Sequence, residues 1–217
     1  MKKVLSVLMA LSMLAALTAC GGKAVEETTG APGQEMPASA LEVLETVWND
    51  YAQDEKFAVI GGSMTAPVDG APGNYDITDE NITYNLLIPA DQLANVTEAA
   101  SMIHMMNANT FTCGVFKLAE GVTAADFGEA MRQSIQNNQW VCGFPDSVLI
   151  AGFGDTYVLA AFGVSDAMGP FETHLNAVYP GFGILANEAI ANKKLAAAPP
   201  LPIFIKEDKL LFKKNRA

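Results

Sequence analysis

The sequence predicts an α+β fold: one largely antiparallel sheet of three to five strands with helices packed on one face. Three observations predict it. From Thr110 onward the hydrophobic pattern runs strand, helix, strand, strand, helix. The apolar runs 147–152 and 156–163 flank Gly154-Asp155, which reads as the tight turn of an antiparallel hairpin. The segments outside the sheet carry apolar residues at helical spacing, so each has one stripe to bury against a layer.

The elements follow in chain order. Lys2 and Lys3 precede a run, 4–17, that is apolar except for Ser6 and Ser12. Its length of about fourteen residues is too short to cross a bilayer and fits the apolar region of a signal peptide, here residues 1–19. The run closes on Leu17-Thr18-Ala19-Cys20. This resembles the bacterial lipobox, with Leu at −3, a small residue at −1 and Cys as the first mature residue. The resemblance implies a diacylglyceryl group on the Cys20 thiol, cleavage before it and palmitate-type acylation. Two or more chains anchor stably where one binds marginally. The competing reading is an ordinary secretory signal that happens to contain a cysteine.

Residues 20–37 hold four Gly, two Pro and two Thr, and read as a flexible tether with an r.m.s. span of roughly 20–25 Å. Ser39 to Glu42 is a capping box, and Leu41, Leu44, Val47, Trp48 and Tyr51 give a helix to about Gln53. Residues 61–80, rich in Gly, Pro and Asp, read as a long loop. Residues 82–88 fit a short strand or a run into a helix, and 91–106 read as helical. Residues 110–118 carry the β-branched and aromatic residues of a strand. Thr123 to Asp126 caps a helix bearing Phe127, Ala130, Met131 and Ile135. After the hairpin, Phe171, Leu175 and Val178 mark another helix with Pro170 in its first turn. Residues 184–195 read as a last helix. The domain therefore spans 38–192, and 193–217 form a basic, partly apolar tail.

Charge sharpens this division. The 217 residues carry 13 Lys+Arg against 24 Asp+Glu, with 50% apolar residues. Residues 20–192 hold Lys23, Lys56, Lys117 and Arg132 against 22 acids, whereas 193–217 hold seven basic residues against Glu207 and Asp208. An acidic body excludes an electrostatic nucleic-acid binder. The apolar fraction excludes a wholly disordered chain, and three cysteines are too few for a disulfide scaffold. The tail, mixing Leu201, Ile203, Phe204 and Ile205 with Lys206 and Lys209, is read as resting on an anionic membrane surface; the competing readings are a frayed terminus and packing on the acids of the body.

The stretches 105–118, 138–150 and 154–163, taken with the lipobox and tether, resemble a group of small bacterial lipoproteins that share an α+β domain and have no assigned activity. The resemblance lends no catalytic residue. The sequence itself shows no Gly-x-Ser-x-Gly, Ser-x-x-Lys or His-Glu-x-x-His. Gly181 to Ala186 fits the letters of a dinucleotide fingerprint but follows a predicted helix rather than a strand. His174, on an apolar stripe, reads as half-buried and bonded to a backbone group. His104 among Met102, Met105 and Met106 is a soft donor set that suits copper(I), or a core filling with methionine. Asp76, Asp79 and Glu80 invite calcium without the spacing of an EF-hand. Cys113 and Cys142 are a possible disulfide outside the cytoplasm; equally, Cys113 reads as a small buried hydrophobe. No cofactor is expected. The resulting expectation is a membrane-anchored, extracytoplasmic, non-catalytic binding module. Its expected partners are the membrane, through Cys20, and a protein or small-molecule ligand. The alternative is an enzyme whose site lies near 61–80.

Overall fold

The computed structural model describes residues 36–191. Cys20, the 1–19 segment, the tether up to residue 35 and the 193–217 tail lie outside the described residues. Helix α1 (Ala40–Asp50) opens as expected on Ser39, whose Oγ accepts the Glu42 N–H at 3.0 Å. The Glu42 carboxylate returns to the Ala38 N–H at 2.6 Å. Strands β1 (Val59–Ser63), β2 (Ala66–Asp69) and β3 (Gly73–Tyr75) follow, then a single turn α2 (Ile82–Asn85) and a 3-10 turn over Ala90–Asn95. Strands β4 (Val96–His104) and β5 (Phe111–Leu118) lead to α3 (Ala124–Asn137). The hairpin β6 (Ser147–Phe153) and β7 (Tyr157–Gly163), helix α4 (Ser165–Val178) and β8 (Gly183–Ala189) complete the order.

The fold is α+β with an open antiparallel sheet, but the sheet has eight strands, not three to five, in the order β2-β1-β4-β5-β7-β6-β8. The eighth, β3, shares one edge of β4 with β1 in tandem: Gly61 pairs with Met102, and Gly73 with the adjacent Ser101. This sharing requires glycine, because a Cβ on Gly61 would strike the Gly73 backbone nitrogen. The 61–80 segment is therefore a hairpin and a further strand rather than a loop. Its Gly, Pro and Asp residues protect the sheet edge, where β2 carries Pro67 and Asp69. Residues 91–106 and 184–195 contain strands β4 and β8 where helices were expected. Ala, Glu and Leu favour helix intrinsically, and strand pairing overrides that preference of a few tenths of a kcal/mol per residue.

Helices cover both faces of the sheet, not one. The chain enters β5, crosses by α3 and returns as β6, with β7 between them. It then enters β7, crosses by α4 and returns as β8, with β6 between them. Both crossovers move the same way across the sheet, yet β5 and β7 run in opposite directions. Two such crossovers share one hand only if their helices lie on opposite faces, and a twisted sheet enforces one hand. Accordingly α1 and α4 pack on one face, around Leu44, Phe111, Leu159 and Phe171. Helix α3 packs on the other, around Phe116, Phe127, Ile135 and Ile150. Strand β7 is buried at every position and β6 at all but Ser147, so both read as continuous apolar runs.

The helix ends use carboxylates from distant strands. Thr123 caps α3 as expected, and Asp155, in the hairpin turn where Gly154 takes φ +56°, accepts the Ala124 N–H at 2.9 Å. Helix α4 starts a turn earlier than expected, so Pro170 stands inside it. Its N-cap, Val164, has no side-chain acceptor to offer. Asp146 accepts the Ser165 N–H instead, at 2.8 Å.

Edge strand β8 is tied to α3 by charge. Arg132 grips Glu129 through two nitrogens at 2.7 and 2.8 Å and reaches Glu188 of β8 at 2.7 Å. Hydrogen bonds from Arg132, then Gln133, hold the Glu129 carboxyl down at about 2, from an ordinary 4.5. Glu188 is lowered in the same direction by Arg132 and Gln136. A depressed folded-state pKa gives stability that is present above the unfolded value and lost as pH falls through the folded one. The attachment of β8, which runs through Glu188, should therefore weaken as pH falls below the ordinary glutamate value of 4.5. Amide protection factors of Ala186 to Ala189 should drop over that range while those of β7 hold. Arg132→Gln should flatten the change; protection unaltered by pH in the parent chain would contradict it.

Candidate functional site

The sheet ends in two poles. At one, Met36 lies against Gly154 of the β6–β7 turn, so the described chain enters the fold there. At the other, seven strand residues or roughly 20 Å away, three connections converge. They are the β4–β5 turn, the residues after α2 and the α3–β6 connection. They enclose a groove of about 450 Å³. Its floor is Ile103 and Phe162, and Ile60 and Met64 come from the β1–β2 hairpin. Trp140 packs on Phe162 with ring centroids 5.1 Å apart.

The lining has an unusual chemistry for this protein. Among its residues only His104 can carry charge near neutral pH, although the domain around it, residues 38–192, holds 19 acids. Apolar side chains stand in water along its rim: Tyr84 is 82% exposed, Met106 81% and Val141 73%. Solvated surfaces rarely gather such residues without a partner for them. Exposed methionines add side chains that repack against varied shapes.

A set of amides fixes the walls. Asn107 donates to the Cys142 carbonyl at 3.0 Å, and Asn109 donates to the carbonyls of Val141 and Gly143 at 2.9 and 3.0 Å. Asn109 N–H in turn donates to Asn107 Oδ1. The β4–β5 turn thus holds the α3–β6 connection in one position. Ser134 of α3 donates to the Leu87 carbonyl at 2.6 Å and fixes the opposite wall. Of the two non-glycine residues with positive φ among those described, Leu87 (φ 55°) lines this groove and Cys142 (φ 63°) follows its lining residue Val141. Left-handed backbone costs roughly 1–2 kcal/mol at a residue with a Cβ, and such strain gathers where function fixes a conformation. The Trp140 Nε1–H is buried and has no partner among the described residues. A buried unpaired donor costs about 1–3 kcal/mol.

The residues singled out from sequence fall in different places. His104 borders the groove, but its Nδ1 accepts the Met106 and Asn107 N–H groups at 3.3 Å and its ring stacks on Phe57. Met102 points into the core, fully buried, while Met105 and Met106 are exposed, so no Met/His donor set forms. His174 bonds not to backbone but to Asp50, Nδ1 to Oδ2 at 2.8 Å, with Glu55 3.7 Å from Nε2 and Tyr51 stacked at 3.8 Å. Its two nitrogens face different carboxylates, so it clamps α4 to α1. Asp76 and Asp79 accept from Thr78 and Asn81 in local turns, and among the described residues no His/Cys/Asp/Glu group could hold a metal. Gly183 to Ala186 belong to strand β8, which removes the dinucleotide reading. The possible disulfide does not form: Cys113 and Cys142 are both free. Cys113 is fully buried under α1 and α4, where burial raises its thiol pKa, and Cys142 is exposed at the groove. Among the described residues no helix is long and apolar enough to cross a membrane.

The groove itself was not read from sequence. The signal was present in residues 138–146, a polar and aromatic stretch with no periodicity, but nothing local placed it beside 105–109. No family model, curated protein or solved structure matches the chain.

The strain at Cys142 can be tested directly. Asn tolerates left-handed backbone, and the Cys142 side chain is exposed, so Cys142→Asn should stabilise the fold by about 0.5–1 kcal/mol in urea unfolding. Cys142→Val, β-branched, should destabilise it by about 1 kcal/mol. Equal effects of the two would remove the argument for strain.

Proposed function

We propose that this chain is a lipid-anchored, extracytoplasmic binding module whose ligand site is the uncharged groove between the β4–β5 turn and the α3–β6 connection. The observation that carries the reading is the groove's composition. In an acidic body, its lining offers apolar rims, aromatic faces and amides, and no carboxylate. General acid–base or nucleophilic chemistry needs a titratable group within reach of a partner that activates it. His104 already accepts two backbone N–H groups through Nδ1, and nothing beside it supplies that partner. The surface is suited instead to recognising an uncharged, apolar or amide-bearing segment by area and hydrogen bonds.

Anchoring rests on Leu17-Thr18-Ala19-Cys20 and on the 20–37 tether. The geometry fits it: the described chain enters at the pole opposite the groove, so a tether drawn from the membrane leaves the groove facing outward. The reading has a two-armed test in the producing cell. Cys20→Ser should abolish acyl labelling and release the chain from the membrane. Met106→Asp with Val141→Asp, charged changes at solvated rim positions, should leave anchoring intact and strip partners isolated with the parent chain. Thr173→Asp, on the exposed side of α4, should retain them. Persistent acyl label in Cys20→Ser would overturn the anchor; partners indifferent to the rim charges would overturn the groove.

A further inference from the structure

We propose that residues 199–205 of this chain, Pro-Pro-Leu-Pro-Ile-Phe-Ile, are an internal ligand of the groove and cover it when no partner is bound. The proposal rests on the groove being the binding site and adds how that site is regulated.

Four observations point to this occupant. The first is where the described chain leaves the fold. At the end of β8, the Ile190 N–H donates to the Asp146 carbonyl at 2.8 Å, and Ala191 N–H donates to Gln136 Oε1 at 3.1 Å. Gln136 lies in the last turn of α3, and Asn138, Gln139 and Trp140 of the groove follow within four positions. The exit is thus at the groove's own pole. Residues 192–198 can span up to about 23 Å when extended, so 199–205 reach the lining without strain.

The second observation is charge. Residues 195–205 are eleven in a row without a charged side chain, in a tail that otherwise holds seven basic residues. They match the uncharged groove on an acidic body. The basic residues on either side, Lys193, Lys194, Lys206 and Lys209, are drawn to that body by its net field.

The third is backbone chemistry. Pro199, Pro200 and Pro202 pre-set φ near −65° and bias the run toward polyproline II, whose carbonyls have no internal partner. Grooves that take such segments combine aromatic faces with N–H donors. Tyr84 and Trp140 supply the faces.

The fourth is a pair of open donors. The side-chain amides of Asn138 and Gln139, which line the groove, make no hydrogen bond among the described residues. Carbonyls of an entering segment would complete them. Because the segment is covalently attached, its effective concentration reaches the mM range for a short linker. Weak contacts then suffice to occupy the groove, and an outside partner must displace them.

Cys142 provides the test. With Cys20→Ser, the remaining thiols are Cys142, exposed at the groove, and Cys113, fully buried. A benzophenone maleimide on Cys142 is irradiated in the full chain and the adducts are mapped by mass spectrometry. The expected product is an intramolecular adduct within 199–205. Leu201→Asp with Phe204→Asp, both outside the described residues, should reduce it to background. Adducts only between two copies, adducts only elsewhere on the chain, or a yield indifferent to the double variant would overturn the proposal. Loss of the adduct on adding anionic but not neutral vesicles would overturn it too, by assigning the tail to the membrane. Failure here is separable from failure of the binding reading, since partner loss in the Met106→Asp and Val141→Asp variant does not depend on where the tail lies.

Discussion

The constraint that organises this protein is the hand of its two crossovers. Strands β5 and β7 run in opposite directions, and each is followed by a helix that skips one strand in the same sense. One hand for both puts α3 and α4 on opposite faces. The consequence is a sheet whose central strands are buried on both sides, which leaves the strand ends as places where connections can build a site. One pole carries the Gly154 turn and the entering Met36; at the other, three connections of different length meet and form the groove.

What holds those connections is polar, and what they present is apolar. Asn107 and Asn109 spend their amides on the backbone of 141–143, and Ser134 spends its hydroxyl on Leu87. These bonds allow Leu87 and Cys142 to keep left-handed backbone at the rim. Fixed walls reduce the ordering cost that a ligand would otherwise meet on binding. The exposed Met64, Tyr84, Met106 and Val141 then offer contact area that is already held in place.

Much of the fold was legible from residues alone. The capping signals at Ser39 and Thr123, the Gly154-Asp155 turn and the strand from Thr110 are local chemistry, and each stands where the sequence places it. The outer strands were not legible. β1 and β3 depend on glycines that let two strands share an edge, and β4 and β8 carry helix-favouring residues in pairings decided by distant partners. The second helical face followed from a topological rule that needs the strand order, which no local pattern reveals. The same holds for the site. The methionines at 102, 105 and 106 were visible as a group, but a strand sends Met102 into the core and leaves the others beyond its end. The amide contacts between 107–109 and 141–143 span more than thirty residues. The lipobox-like run Leu17 to Cys20 is a wholly local pattern, and it lies outside the described residues.

On the proposed anchoring, the groove faces away from the membrane and serves a partner segment rather than lipid. The most direct measurement is the environment of a nitroxide on Cys142 in the acylated chain reconstituted in vesicles, read by power saturation against a water-soluble nickel chelate and against oxygen. The account predicts dominant relaxation by the chelate, as for an aqueous surface site. Dominant relaxation by oxygen would place the groove in the acyl region, making its apolar rim a membrane-insertion face and contradicting the account.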